Sequence, residues 1–215
     1  MARHSGKILG LLVALTLGCL PGIAHADMTS GSWILNQSNT FADGVDYGMV
    51  SITADDSTGV VQFDVDAFDV QPTYGSLDNF GIQAFGFNIQ NITSAPGSWT
   101  LALPTGWSQD NSGGTMDGFG SFMVTEDGTG GYRLPLLSFS ITLPTVSEAV
   151  ATNFAVLAPG DPAQGAFFFA AHVAGFENDP GSHYIGGPGL IPAPGAALLG
   201  MIGLGLVTFV KRRLS

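Results

Sequence analysis

Three closely spaced aspartates, Asp64, Asp66 and Asp69, are the residues best suited to metal chemistry. Calcium takes about six to eight oxygen ligands, and aspartates that meet at a sheet edge could supply several of them. The segment lacks the central glycine and the distal glutamate of an EF-hand loop. The spacing therefore leaves two interpretations open: a weak calcium site, or the solvated polar face of a strand.

Aromatic side chains offer a second kind of chemistry, the stacking of sugar rings. Trp107 is the best candidate because it lies between Gly106 and Ser108, which favour a loop, and binding residues are often found on loops. The competing interpretation places this indole in the core or at its rim. Other aromatic residues that could contribute are Trp33, Trp99, Tyr47, Tyr74 and Tyr184.

Catalytic motifs are missing from the sequence. We find no nucleophile elbow, no zinc-binding spacing and no phosphate-binding loop. His172 lies in a strongly apolar run, which favours a hydrogen-bonded histidine within a sheet, and His183 lies in a Gly/Pro-rich segment where we expect it to be solvated. The sequence thus predicts a protein that is not an enzyme and needs no cofactor, with weak Ca²⁺ binding left as an open alternative.

The charge of the chain is segregated. All 17 acidic residues lie between Asp27 and Asp179, whereas Arg133 is the one basic residue between residues 27 and 190, so this stretch has a net charge of −16. Such a surface repels phosphate backbones and anionic headgroups. Nucleic acid is excluded as a partner, and cations, neutral glycans or basic proteins remain.

The elements that position these residues are predicted to be short β-strands. Period-two alternation is clearest in residues 61–67 and 137–143, and weaker in 85–89 and 99–103. Residues 166–174 are apolar on both faces, which predicts a central strand covered on both sides. Further predicted strands are 32–35, 49–54, 119–125 and 154–157. Residues 147–157 could instead hold a short helix, and residues 126–131 read as a hairpin loop.

Eight to ten such strands, separated by turn signals, predict an all-β fold. We expect a two-sheet β-sandwich, jelly-roll-like or Ig-like, with the topology undecided. The one cysteine, Cys19, precedes this region, so residues 27–190 contain none. The domain must therefore be held by burial and by sheet hydrogen bonds, without disulfides.

The first 26 residues have the three parts of a secretory signal peptide. Arg3 and Lys7 give the positive start, an apolar run follows, and Ala24 and Ala26 provide the small residues that a signal peptidase reads. Cleavage is expected before Asp27. The protein is therefore predicted to be exported.

The C-terminal segment predicts a short membrane span. The motif Pro192-Ala193-Pro194 precedes 15 uncharged residues, 196–210, and Lys211, Arg212 and Arg213 follow. A helix of that length measures roughly 22 Å, whereas a bilayer core is about 30 Å thick. The basic cluster is expected to stay in the cytoplasm, with the acidic region outside. A span this short suits a segment that is recognised and removed.

In order and spacing, residues 191–213 resemble the sorting signal of PEP-CTERM proteins, which has a Pro-x-Pro motif, a short Gly/Leu-rich span and an arginine-rich tail. Ala193 replaces the usual central glutamate and gives the Pro-Ala-Pro variant. The resemblance implies recognition near the two prolines by an exosortase, a membrane-embedded, cysteine transpeptidase-like enzyme. It also implies a Gram-negative envelope and an association with exopolysaccharide or biofilm.

Taken together, these features predict a signal peptide (1–26), an acidic β-sandwich ectodomain (27–190) and a sorting signal (191–215). The expected function is that of a non-catalytic cell-surface or extracellular-matrix protein, held first in the cell membrane by its C-terminal helix. The alternative is a carbohydrate-binding or adhesive module, calcium-assisted and using Trp107 for glycan contact. A secreted hydrolase is a third, weaker hypothesis.

Overall fold

The computed structural model describes residues 30–68, 79–158, 165–176, 181–187 and the strand at 189–191. The predicted signal peptide with Ala24, Ala26 and Asp27 lies outside the described residues, as does Asp69. The tail, with its Pro192-Ala193-Pro194 motif, the span 196–210 and the basic cluster 211–213, lies outside them as well. Within the described residues, no helix has the length and apolar character needed to cross a membrane.

The described chain is built from antiparallel strands joined by turns and three short 3₁₀ segments. In chain order the strands are β1 (Ser30–Leu35), β2 (Gln37–Ser38), β3 (Gly48–Asp55), β4 (Val60–Ala67), β5 (Gly81–Phe87), β6 (Thr100–Ala102), β7 (Trp107–Asp110), β8 (Gly114–Met116), β9 (Gly120–Phe122), β10 (Val124–Gly128), β11 (Leu136–Thr142), β12 (Phe169–Ala174), β13 (Ser182–Gly187) and β14 (Gly189–Ile191).

These strands form two six-stranded sheets. Sheet A has the order β14-β1-β3-β4-β11-β6, and sheet B has the order β2-β13-β12-β5-β10-β7. Strands β8 and β9 form a separate hairpin. The chain crosses between the two sheets several times, so each sheet is completed by segments distant in sequence. The predicted all-β, two-sheet fold is confirmed.

Period-two alternation determines which side chains lie between the sheets. In β4, Val61, Phe63 and Val65 are fully buried, whereas the residues between them are partly exposed. Phe63 stacks on Phe139 of sheet A at 4.7 Å and contacts Phe87 of sheet B at 5.1 Å. The two sheets therefore share one aromatic-rich core, and no cysteine contributes to it.

Strand β12 is central in sheet B and covers residues 169–174 of the predicted 166–174; it is buried on both faces except at His172, which is half-buried. Phe169, Ala171 and Val173 belong to the core between the sheets, while Ala170 and Ala174 are buried on the other side. Doubly covered strands read as near-continuous apolar runs, which is the pattern seen here.

Three local predictions are wrong. Residues 154–157 form no strand, and residues 146–153 form two 3₁₀ turns, Val146–Glu148 and Ala151–Asn153, instead of a helix. Phe154 lies fully buried against Phe63 at 5.5 Å, so the segment closes one end of the core without pairing in a sheet. Residues 126–131 form no hairpin because β10 extends to Gly128 and the chain then crosses to sheet A.

The hairpin of β8 and β9 covers part of the outer face of sheet B. The register places Gly186, Ala170 and Gly86 side by side on that face. Their small side chains leave space for three buried residues of the hairpin region, Met116, Phe119 and Phe122. This second core could not be predicted from the sequence, because the residues that form it lie far apart in the chain and are brought together only by the strand register.

Replacing Gly186 by alanine is expected to destabilise the protein by about 1–3 kcal/mol, the usual cost of overpacking. A Cβ at this position would lie 2.6 Å from Cε1 of Phe119, a ring that is fully buried against Phe167 at 4.8 Å. Urea denaturation measures the change. Gly131→Ala is the matched control, since a Cβ there would meet nothing within 4 Å. Equal stabilities for the two variants would contradict this packing.

Candidate functional site

Beside the hairpin, the outer face of sheet B carries a line of side chains across five strands. The register places Tyr184 of β13, His172 of β12, Ala84 of β5, Asp127 of β10 and Ser108 of β7 next to one another. All five alternate with core residues and therefore face outward. We call this line the outer row.

An aromatic pair forms one side of the outer row. The rings of His172 and Tyr184 stack at 4.2 Å with an interplanar angle of 7°. Both side chains are half-buried. At the far side of the pair, the backbone N–H of Tyr184 donates to Oδ1 of Asn39 (3.0 Å), and Asn39 donates to Asp117 in the β8–β9 turn (3.2 Å). The prediction that His172 is a hydrogen-bonded sheet histidine is confirmed by the contacts that follow.

Two further polar residues orient the imidazole. Arg133 donates from Nε to Oε1 of Gln83 (3.0 Å), and Nε2 of Gln83 lies 2.9 Å from Nδ1 of His172. A register shift after His172 brings Gln83 to this position, since β12 pairs with Ala84 and then with Ile82. Because the arginine occupies the amide oxygen, Gln83 must offer N–H to the imidazole, which accepts.

This arrangement favours the neutral form of His172. Burial lowers the pKa of His172, and the positive charge of Arg133 lowers it further. A protonated imidazole would place N–H against the N–H of Gln83. The neutral imidazole of His172 is therefore held between Tyr184 and Gln83 as a hydrogen-bond acceptor.

Arg133 is unusual for this domain because it is the one basic residue between residues 27 and 190. It makes no ion pair with any acidic residue in the described ranges, although 17 acidic residues are available in the sequence. Its Nε is held by Gln83, and a Cβ added at Gly130 would lie 3.5 Å from one terminal NH₂ group of Arg133. Arg133, the one basic residue between residues 27 and 190, is thus held beside the outer row by the uncharged side-chain amide of Gln83.

Asp127 forms the opposite side of the outer row. It is half-buried and accepts a hydrogen bond from Oγ1 of Thr125 at 3.1 Å. Burial raises the pKa of Asp127, although the Thr125 hydroxyl acts in the opposite direction, and the nearby Asp110 carboxylate raises it further. The carboxylate oxygens of Asp127 can therefore accept hydrogen bonds on the side of the outer row opposite His172.

Ala84 separates these two sides and also packs against the cluster of Met116, Phe119 and Phe122. Neighbouring strands lie about 4.8 Å apart, so His172 and Asp127, two strands apart, have backbones roughly 10 Å apart.

The aspartates predicted to bind calcium lie elsewhere, on the outer face of sheet A. Asp64 accepts a 2.7 Å hydrogen bond from Oγ of Ser138, and burial raises the pKa of Asp66. Asp69 lies outside the described residues. In the parts of the chain that the structure describes, no group of three His, Cys, Asp or Glu side chains is arranged to hold a metal ion.

Trp107 is not the exposed loop residue that its glycine and serine neighbours predict. It begins β7, is 8% exposed, and donates from Nε1 to the carbonyl of Tyr132 at 2.9 Å. The indole packs into the core between the sheets, so it presents no open face to a glycan. Trp33 and Trp99 are buried in the same core.

His183 also differs from its expected position. It is buried in β13, and its ring lies 4.4 Å from that of Phe41 and 5.9 Å from that of Phe176. The Gly/Pro-rich composition of residues 180–188 predicted solvent exposure, whereas residues 182–187 form a strand that places His183 on its buried face. Partners distant in sequence bury this imidazole.

Sequence reasoning missed Gln83, Ala84 and Asp127 as site residues. None belongs to a motif, and their proximity follows from strand register alone. The one available signal was Arg133, whose isolation among 17 acidic residues singles it out. No family model matches the chain, and neither a curated protein nor a solved structure matches it.

Proposed function

We propose that the protein is an exported, non-catalytic component of the cell surface or extracellular matrix, sorted by its C-terminal tag. The observation that supports this most directly is the position of the last described strand. β14 ends at Ile191, and the Pro192-Ala193-Pro194 motif begins at the next residue. Cleavage at this motif would leave β14 and its pairing with β1 intact.

The beginning of the described fold supports the same scheme. β1 starts at Ser30, so cleavage by signal peptidase before Asp27 leaves the first strand intact. β1 and β14 pair antiparallel, with Ser32 opposite Ile191. Removal of both end segments thus leaves paired terminal strands at one edge of sheet A.

The proposed route has four steps. The signal peptide directs export, residues 196–210 hold the protein in the cell membrane, and the cluster of Lys211, Arg212 and Arg213 remains cytoplasmic. An exosortase then cleaves near the Pro-Ala-Pro motif, and the ectodomain passes to the envelope surface or to an exopolysaccharide matrix. A cysteine-free domain needs no disulfide chemistry outside the cell.

A second candidate function, glycan binding or adhesion, is favoured by the outer row of sheet B rather than by Trp107. Weak calcium binding at Asp64 and Asp66 belongs to this alternative. Comparing thermal unfolding with and without millimolar calcium tests the calcium part, and an unchanged transition removes it.

Deleting residues 192–215 is expected to abolish the membrane-held precursor, so that the folded chain is released without passing through the sorting step. Cell fractionation and immunoblotting measure the change. As a matched control, Pro192→Ala combined with Pro194→Ala keeps the apolar span, so the protein should accumulate uncleaved in the membrane. If neither change alters location or size, the sorting proposal fails.

A further inference from the structure

Glu126 is a fully buried carboxyl group that neither the outer row nor the proposed sorting route uses. It lies in β10, directly opposite Gln109 of the edge strand β7. Directly opposite residues of an antiparallel pair point to the same face, with Cβ atoms about 4.5–5.5 Å apart. Glu126 also pairs with Phe85 of β5, which belongs to the core, so both side chains lie on the face between the sheets.

Oxygen atoms of both side chains are buried without a hydrogen-bond donor among the described residues. They are the two carboxyl oxygens of Glu126 and Oε1 of Gln109. The amide nitrogen of Gln109 is already in use, because it donates to Oδ1 of Asn111 and, at 3.4 Å, to the carbonyl of Pro96. A proton on Glu126 supplies the missing donor, and Oε1 of Gln109 is an acceptor directly across the strand pair.

Strand β7 has few other contacts to hold it in place. It has four residues, lies at the edge of sheet B and pairs with β10 alone. Trp107 ties it to a neighbouring segment by donating from Nε1 to the carbonyl of Tyr132 at 2.9 Å. Short edge strands, whose outer backbone groups face solvent, open at a lower free energy than the strands of a core.

We propose that Glu126 is a pH-sensitive fastening of strand β7. As the neutral acid it donates its proton to Oε1 of Gln109 and holds β7 against β10. When a base in the solvent removes that proton, the buried carboxylate has no donor among the described residues and is costly to keep there. β7 then separates from β10 and water reaches the carboxylate, while the rest of the sandwich stays folded.

No other charged group faces this carboxyl from the described elements around it. Asp127 acts on Glu126 from the opposite face of β10, and Asp110 is exposed at the end of β7. Strands β5 and β11 and residues 88–106 contain no titratable side chain, and the carboxylates of β4 alternate with its buried residues and point away from the core. Asp127 is therefore the neighbour for which the test must control.

The direction of the pH effect follows from the pKa of Glu126 in the two forms. Burial, with a smaller contribution from the charge of Asp127, raises the pKa to about 8 in the closed form, against 4.5 for a solvated carboxyl. The fastening is fully present below pH 4.5 and is lost as the pH rises through 8. Between these values the equilibrium constant for opening increases about tenfold for each pH unit.

The test is hydrogen–deuterium exchange, followed by mass spectrometry, of the full chain in a nonionic detergent at pH 5 and pH 7. Each protection factor is the intrinsic exchange rate at that pH divided by the observed rate. We expect the protection of the β7 amides to fall on the order of a hundredfold over these two pH units. The β7 amides should also be less protected than those of β4 at both pH values. Unchanged β7 protection, or protection equal to that of β4, would show that no such local opening occurs.

Three variants identify the groups that carry the effect. Glu126→Gln keeps an N–H donor at every pH and should abolish the fall in β7 protection, whereas Asp127→Asn should retain it. Gln109→Met keeps the shape of the side chain but removes the acceptor, so β7 protection at pH 5 should drop about fivefold, as for one lost hydrogen bond. Thermal unfolding confirms that each variant folds, and Gln109→Met decides the matter if Glu126→Gln does not. A fall that persists in Glu126→Gln or disappears in Asp127→Asn, or unchanged protection in Gln109→Met, overturns the proposal.

Discussion

Replacing Glu126 by glutamine is expected to raise the free energy of unfolding strongly above pH 8 and to change it little below pH 4.5. Glu126 lies in β10 with its side chain between the sheets and is 0% exposed. Neither carboxyl oxygen has a hydrogen-bond partner within the described residues. A buried carboxylate without partners is costly, whereas a buried carboxylic acid or amide is much less so.

The direction of the pH dependence follows from the pKa. Burial, with a smaller contribution from the charge of Asp127, raises the pKa of Glu126 from 4.5 to about 8. The stabilising effect of the protonated form is fully present below pH 4.5 and is lost as the pH rises through 8. Since one pKa unit corresponds to about 1.4 kcal/mol, the loss amounts to on the order of 4–5 kcal/mol.

Urea denaturation across this pH range measures the effect. The natural protein should lose stability between pH 4.5 and 8, and Glu126→Gln should abolish most of that loss. Asp56→Asn, in an exposed turn, removes the same formal charge and serves as the control. Parallel pH profiles for the natural protein and Glu126→Gln would show that this carboxyl is not titrating in the core.

Phe63→Ala is the second change with a large expected effect, a loss of about 3–5 kcal/mol. The ring of Phe63 is fully buried between the sheets and contacts four other phenylalanine rings. These are Phe139 at 4.7 Å, Phe87 at 5.1 Å, Phe154 at 5.5 Å and Phe85 at 6.4 Å. The loss is comparable with the entire stability of many domains, so the variant is expected to be largely unfolded at 37 °C.

Chemical denaturation of the variant gives the measurement. Leu136→Ala provides the control, because Leu136 is 50% exposed on the same sheet and should cost no more than about 0.5 kcal/mol. A loss near 1 kcal/mol for Phe63→Ala would mean that the two sheets do not share one tightly packed core.

Much of the fold could be predicted because the signal for a strand is local. In β4 and β11, alternation of apolar and polar residues identifies both the strand and its buried face. The order of strands within each sheet could not be predicted in the same way. It depends on pairings such as β4 with β11, whose residues lie more than 60 positions apart.

The candidate site shows the same limit more clearly. His172 could be assigned to a sheet from its apolar neighbours, but its contact with Gln83 depends on a register shift that no local pattern reports. The exposed loop predicted for Trp107 was wrong because Gly106 and Ser108 are residues typical of turns, and the prediction followed them. The indole itself is buried by contacts with β10 and Tyr132, which are distant in sequence. Local chemistry predicted the elements, and tertiary register determined the site.

The most direct test of the proposed function is mass spectrometry of both termini of the protein isolated from the producing cell. We predict a chain that starts at Asp27 and ends at or near the Pro192-Ala193-Pro194 motif, with β1 and β14 both retained. A mature protein that still ends in Lys211, Arg212, Arg213, Leu214 and Ser215 would show a tail that is kept, and would contradict sorting by cleavage.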